Sequence, residues 1–127
     1  MRSLWISILS IAILIGSWSI FYHYSDNKLE DLIDQCSESV MPAILDADWE
    51  KAEEEFRSQY DAWHKYRKYA LYFSDTLAIN DTDATIAKTL MYIRAKDDSN
   101  SSGELLAFIE QLKYLRQTEK VLPENIL

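Results

Sequence analysis

Six residues, Asp98-Ser99-Asn100-Ser101-Ser102-Gly103, open like a calcium-binding loop, with oxygen side chains at alternate positions and a glycine sixth. Such a loop closes on a bidentate glutamate at its twelfth position. Here that position is Ile109, and Glu110 comes one residue late. The stretch therefore reads as a polar turn and a helix cap. Asp61 and His64 share a face of any helix that carries them. Two ligands do not make a metal site, which takes three or four, and Lys65 and Lys68 beside them repel a cation. His64 reads as a surface residue next to an aromatic stripe, and His23 as an interfacial one.

The run His64-Lys65-Tyr66-Arg67-Lys68-Tyr69 interleaves bases with aromatic rings. On a basic protein that pattern suits single-stranded nucleic acid. The chain instead carries Lys+Arg 13 against Asp+Glu 21, a net charge of −8, which argues against nucleic acid as a partner. The bland reading is a helix end with bases favoured by its dipole and tyrosines packing inward. The functional reading makes His64, Lys65, Arg67, Lys68 and Tyr69 an interaction patch for a partner or lipid headgroups, because local charge can still attract one. Acids gather at Glu53, Glu54 and Glu55 and at Asp81 and Asp83. A carboxylate pair can do acid–base catalysis, but no serine-nucleophile setting or glycine-rich loop accompanies them. They read as caps and a solvated face, and the chain reads as a non-enzyme with no catalytic set, cofactor or metal. Cys36, the only cysteine, cannot form an internal disulfide. It lies on an apolar stripe, so burial is expected; the alternative is a bridge between two copies.

The elements that must position these residues begin with Leu4 to Tyr24, LWISILSIAILIGSWSIFYHY, which contains no Asp, Glu, Lys or Arg. About 20 apolar residues cross a bilayer core of roughly 30 Å as a helix. Trp5, Trp18, Tyr22 and Tyr24 stand near its ends, where amphipathic rings favour the headgroup zone. A cleaved signal peptide has a shorter apolar stretch and small residues at its end; this stretch is long and ends on bulky rings. Residues 1–25 are therefore expected to be an uncleaved membrane anchor, with lipid contact through residues 4–24. Arg2 before the span and Lys28 after it give a weak bias to a cytoplasmic N-terminus and an extracytoplasmic domain.

Residues 26–127 are about the size of one small domain. They contain one glycine, Gly103, and two prolines, Pro42 and Pro123, and show no strand alternation. This scarcity of breakers predicts an all-α fold: the transmembrane helix followed by a small antiparallel helical bundle. Leu29, Leu32, Ile33, Cys36, Val40 and Ile44 recur at helical spacing, so the anchor helix is expected to run on to Met41, with Pro42 kinking it. A second helix is expected from Asp48 to Phe73, capped by Asp46 or Asp48. Trp49, Phe56, Trp63, Ala70 and Leu77 form its heptad stripe, joined by Ala52, Tyr66 and Phe73. Pairs of Glu53 with Arg57 and Asp61 with Lys65 are expected along it. A third helix is expected over Asp81–Ala95, capped by Asp81 or Asp83, with Ile79, Ile86, Leu90 and Ile93 facing inward. The fourth is expected over Ser102–Lys120, with Leu105, Phe108, Ile109, Leu112 and Leu115 inward and a Ser101–Glu104 capping box. Ile126 and Leu127 are expected to dock into the bundle.

The ordered set Asp48-Trp49-Glu50-Lys51-Ala52, Trp63-His64-Lys65, Ala70-Leu71-Tyr72-Phe73, Glu104-Leu105 and Glu124-Asn125-Ile126-Leu127 resembles domain of unknown function family 4363, whose members are short, single-anchor bacterial proteins. The resemblance implies a fold and a topology and no activity. The family often carries a histidine soon after the aromatic run; this chain has Ser74-Asp75-Thr76-Leu77 there, so no role transfers to that position. Two functions remain. One is an accessory module for another membrane protein of the envelope, as the anchor and aromatic bundle suggest. The other is a ligand-binding sensory bundle signalling through a partner, which a pocket lined by Tyr66, Tyr69 and Tyr92 would favour.

Overall fold

The computed structural model describes residues 1–126, with side chains placed through residue 118. Five α-helices follow in order: α1 Arg2–Gln35, α2 Met41–Leu45, α3 Trp49–Ala70, α4 Thr76–Arg94 and α5 Asp98–Ile126, with a π-helical turn over Cys36–Val40 joining α1 to α2. No strand occurs among the described residues. The all-α bundle expected from the breaker-poor sequence is the fold observed.

The first helical rod is continuous from Arg2 to Leu45 and long and apolar enough to cross a membrane. Its residues through Ile20 stand clear of the rest of the chain. From Phe21 onward the same rod turns one stripe inward: Phe21, Ser25, Leu29, Leu32, Cys36, Val40, Ala43 and Ile44 are buried. Steps of four and three residues from Phe21 to Ala43 are the spacing of a bundle seam. The helix does not end at Met41, as expected, but continues past Pro42. Proline lacks an N–H and its ring crowds the carbonyl four residues back, that of Glu38. The wider π turn over Cys36–Val40 meets that conflict where an α turn would break.

Side-chain pairs set the register. Ser25 meets Tyr66, Tyr24 meets Tyr69 and Phe21 meets Phe73, so α3 runs back along α1. Asp83 meets Trp63 and Arg67, and Arg94 meets Glu53, so α4 reverses again. Arg116 of α5 meets Asp26 and Glu30. The helices form a ring in which α1 and α4 each touch both α3 and α5, an up-down-up-down four-helix bundle. Ala52, Phe56, Trp63, Tyr66 and Ala70 fill its centre from α3, and Leu105, Phe108, Ile109, Leu112 and Leu115 from α5. Phe108 packs edge-on against both Phe56 and Trp63, an arrangement that adds to plain area burial.

Five expectations are corrected. Leu77, placed on the α3 stripe, is 69% exposed, because α3 stops at Ala70 and the chain turns before reaching it. Phe73 likewise lies beyond the helix. The α4 helix begins at Thr76 rather than Asp81, because the Asp75 carboxylate caps it by accepting the Leu77 N–H at 3.0 Å. The α5 helix begins at Asp98, capped by Asp97, which accepts both the Asn100 N–H at 3.1 Å and its side-chain amide at 2.7 Å. These two bonds hold the Asp97 carboxyl below its ordinary range. Ser101 therefore sits inside the helix, buried, and the Ser101–Glu104 box does not form. The expected docking of Ile126 and Leu127 concerns side chains outside the described residues.

Between the long apolar positions of α4 lie Thr82, Thr85 and Thr89, all buried. Each hydroxyl donates to the carbonyl one turn back, at 2.8, 3.1 and 2.8 Å. That back-bonding lets a small polar residue occupy a core face at little cost.

Two of the tight connections share one design. Asp48 N–H reaches Ala43 O and Ala47 N–H reaches Ile44 O; Asp97 N–H reaches Tyr92 O and Lys96 N–H reaches Ile93 O. Both are Schellman endings, and in both the next residue is the aspartate that caps the following helix. The left-handed position is filled by Ala47 (φ 57°) and Lys96 (φ 56°) rather than glycine. Ala47→Gly and Lys96→Gly are each expected to stabilise the fold by about 0.5–1 kcal/mol. That is the ~1–2 kcal/mol cost of a side chain there less the ~0.4–1 kcal/mol of entropy glycine adds to the unfolded chain. Urea midpoints of the single variants check it.

Candidate functional site

The α3 helix carries its basic and aromatic run at the end where α1 emerges as a bare apolar rod. Helical geometry divides that run between two faces. Lys65, Lys68 and Tyr69 are exposed, whereas His64 and Arg67 are half-buried and Tyr66 is fully buried.

On the face toward α1, Lys65 joins Tyr24, Lys28, Ser58, Asp61 and Ala62 in lining an open groove of about 360 Å³. Tyr69 meets the edge of Tyr24 one turn beyond it, ring centres 5.8 Å apart. The groove places two ammonium groups, one carboxylate and a phenol along one cleft, a set suited to polar or anionic recognition. The Tyr66 hydroxyl lies 2.7 Å from the Ser25 hydroxyl inside the core.

On the opposite side Arg67 turns to α4. Its Nε donates to Asp83 Oδ1 at 3.1 Å and its Nη2 lies 2.8 Å from Asp83 Oδ2. The Trp63 indole N–H donates to the same Oδ1 at 2.6 Å. Asp83 is thus the receptor for two α3 donors rather than a helix cap, and Arg67 is committed to holding α3 on α4. Charge-assisted, two-pronged bonds of this kind are the strong ones. A matching clasp holds α5 to α1: Arg116 Nε bonds Asp26 at 2.7 Å, and Nη2 lies 3.6 Å from Glu30. The Asp26 bond raises the Arg116 guanidinium further above its already high pKa.

The remaining candidates are dispersed. His64 packs on Tyr60, ring centres 4.4 Å apart, and its Nε2 is enclosed. Glu53 reaches across to Arg94 at 3.0 Å rather than along its own helix to Arg57. Asp98 to Gly103 is the start of α5, a helix where a turn was expected. Tyr66 is a core residue, Tyr69 is exposed and Tyr92 is half-buried on α4, so these three do not line a common pocket. Cys36 is fully buried, and burial pushes its thiol up to about 12. A thiolate is the reactive form, so pairing with a second copy requires the core to open.

Ser58 and Ala62 were not singled out from the sequence, and Tyr24 and Lys28 were read there only as an interfacial ring and a topology signal. Tyr24 with Lys28, and Ser58 with Asp61, Ala62 and Lys65, do sit at single-face helical spacing, which is the signal that was available. Which two faces meet is a property of the bundle register.

Residues 19–126 match the family model of a domain of unknown function, DUF4363. No curated protein and no solved structure matches the chain.

Proposed function

The chain belongs to the DUF4363 family, and from that premise we propose that it is a single-pass membrane protein whose bundle is a non-catalytic accessory module for another membrane protein of the envelope. The N-terminus with Arg2 lies in the cytoplasm and the bundle lies outside it, as the basic-residue bias favours. The observation that carries this reading is the unbroken rod Arg2–Leu45. Its first half is bare and apolar, and its second half is one wall of the bundle core. With no hinge between them, a partner gripping the span also orients the bundle. The Ser7 and Ser10 hydroxyls support the span: they donate to Ser3 O and Ile6 O within the helix at 2.9 and 2.8 Å, as hydroxyls in hydrocarbon must.

A ligand-binding bundle is the second reading. The groove beside Lys65 favours it by its size, and its openness and the diversion of Tyr66 into the core weigh against it.

Capture of the full-length chain from native membranes in mild detergent tests the first reading. A stoichiometric multi-span protein is expected to come with it. Recovery of the chain alone, as a monomer or homodimer, overturns the accessory role and turns attention to small ligands for the groove.

A further inference from the structure

We propose that the segment joining α3 to α4, with Tyr69 before it and Leu77 after it, lies in the headgroup zone of the bilayer as a second, loop-borne part of the aromatic collar that begins at Trp18. The proposal rests on the membrane-span reading above and adds a contact that the span alone does not supply.

Height along the rod is the first argument. The Phe73 ring stacks on Phe21 with centres 4.2 Å apart and planes 21° from parallel. Tyr69 meets Tyr24 one turn further on. The loop is therefore level with the last turn of the apolar run. At 1.5 Å per residue that run, Leu4 to Tyr24, is about 30 Å long, the thickness of a hydrocarbon core. Phe21 to Tyr24 then mark the boundary, and Tyr69 to Leu77 share it.

Composition is the second. Tyr72 is 83% exposed, Leu77 69% and Tyr69 57%, and Leu71 and Phe73 are more than a third exposed. Five bulky side chains gathered at one connection are costly in water and fitting at an interface, where tyrosine rings rest with their hydroxyl end wet and apolar side chains face the acyl chains. The one charged residue among 70–77 is Asp75, whose carboxylate is turned to the Leu77 N–H. Lys68 is exposed one turn earlier on α3, at the level where lipid phosphates would lie. The far end of the bundle differs in kind: its connections carry Asp46, Asp48, Lys96, Asp97 and Asp98. An α3–α4 connection of bulky aromatic and aliphatic side chains, level with the exit of an apolar rod and unlike the charged connections at the far end, matches a bilayer surface.

Single-site fluorescent labelling of the full chain in vesicles of phosphatidylcholine and phosphatidylglycerol tests it, using Ile13→Cys, Tyr72→Cys and Lys51→Cys. The unsubstituted chain, whose Cys36 is enclosed, is the labelling blank. Nitroxide lipids quench from the headgroup or from the acyl chains. The expected result is loss of Tyr72-site fluorescence to the headgroup quencher, loss of Ile13-site fluorescence to the acyl quencher, and none at the Lys51 site. Quenching at Ile13 with Tyr72 as bright as Lys51 overturns the loop contact and leaves the span standing. A Tyr72 site shielded from aqueous iodide yet untouched by lipid quenchers assigns the loop to a second copy and overturns it too. No quenching at Ile13 removes the span reading, and the loop contact with it.

Discussion

Trp63→Ala is expected to take away a large share of the fold's stability. The side chain is fully buried at the centre of the bundle, against Tyr66 and Phe108. Truncating a buried tryptophan costs roughly 3–5 kcal/mol in transfer and cavity terms. A domain of this size is stable by only about 5–15 kcal/mol in total. The indole N–H is lost as well, although Asp83 keeps its two-pronged contact with Arg67. Trp63→Phe separates the two contributions. It keeps much of the volume and removes the donor to Asp83, and a bond to a charged group is worth about 1.5–3 kcal/mol. Urea unfolding followed by far-ultraviolet circular dichroism should place Trp63→Phe between the parent and Trp63→Ala. Equal midpoints for Trp63→Phe and the parent would show that the 2.6 Å bond contributes shape rather than stability.

The second large effect concerns where the bundle begins. A chain starting at Ser19 is expected to keep the fold, because residues through Ile20 contribute no buried side chain. A chain starting at Asp34 is expected to lose it. That cut removes Phe21, Leu29 and Leu32 from the core, and burial of each is worth about 1.5–3 kcal/mol. It also removes the Ser25 partner of Tyr66 and the Asp26 partner of Arg116. The sum approaches the whole stability of a small domain, about 5–15 kcal/mol. Thermal unfolding and amide dispersion in proton–nitrogen spectra read the outcome. Cooperative unfolding of the shorter chain would mean that α1 leans on the bundle without being part of it.

Much of this was legible in the chain. The seven-residue recurrence through Phe56, Trp63 and Ala70 and the α5 stripe Leu105 to Leu115 are buried as spaced. The Leu29 to Ile44 stripe with no breaker before it carried the continuous rod. The apolar run showed by length and composition alone that one helix can cross a membrane. Helix ends were read less well. Ala47 and Lys96 occupy left-handed positions that glycine would have advertised, and Asp83 resembles a cap until α3 presents Trp63 and Arg67 to it. The candidate patch divided for a similar reason: Arg67 found Asp83, Tyr66 found Ser25, and Lys65 and Tyr69 stayed outside beside α1. Tyr72, Phe73 and Leu77, which read as helix or stripe residues, came to lie at the level of Phe21. Periodicity, apolar length and scarcity of breakers are properties of neighbouring residues, so the sequence by itself determined the class, the stripes and a helix long and apolar enough to cross a membrane. Partner choice, register and the height of a loop along a rod depend on residues 16 to 90 positions apart, and only the packed bundle decided them, because only there do those side chains compete for the same space.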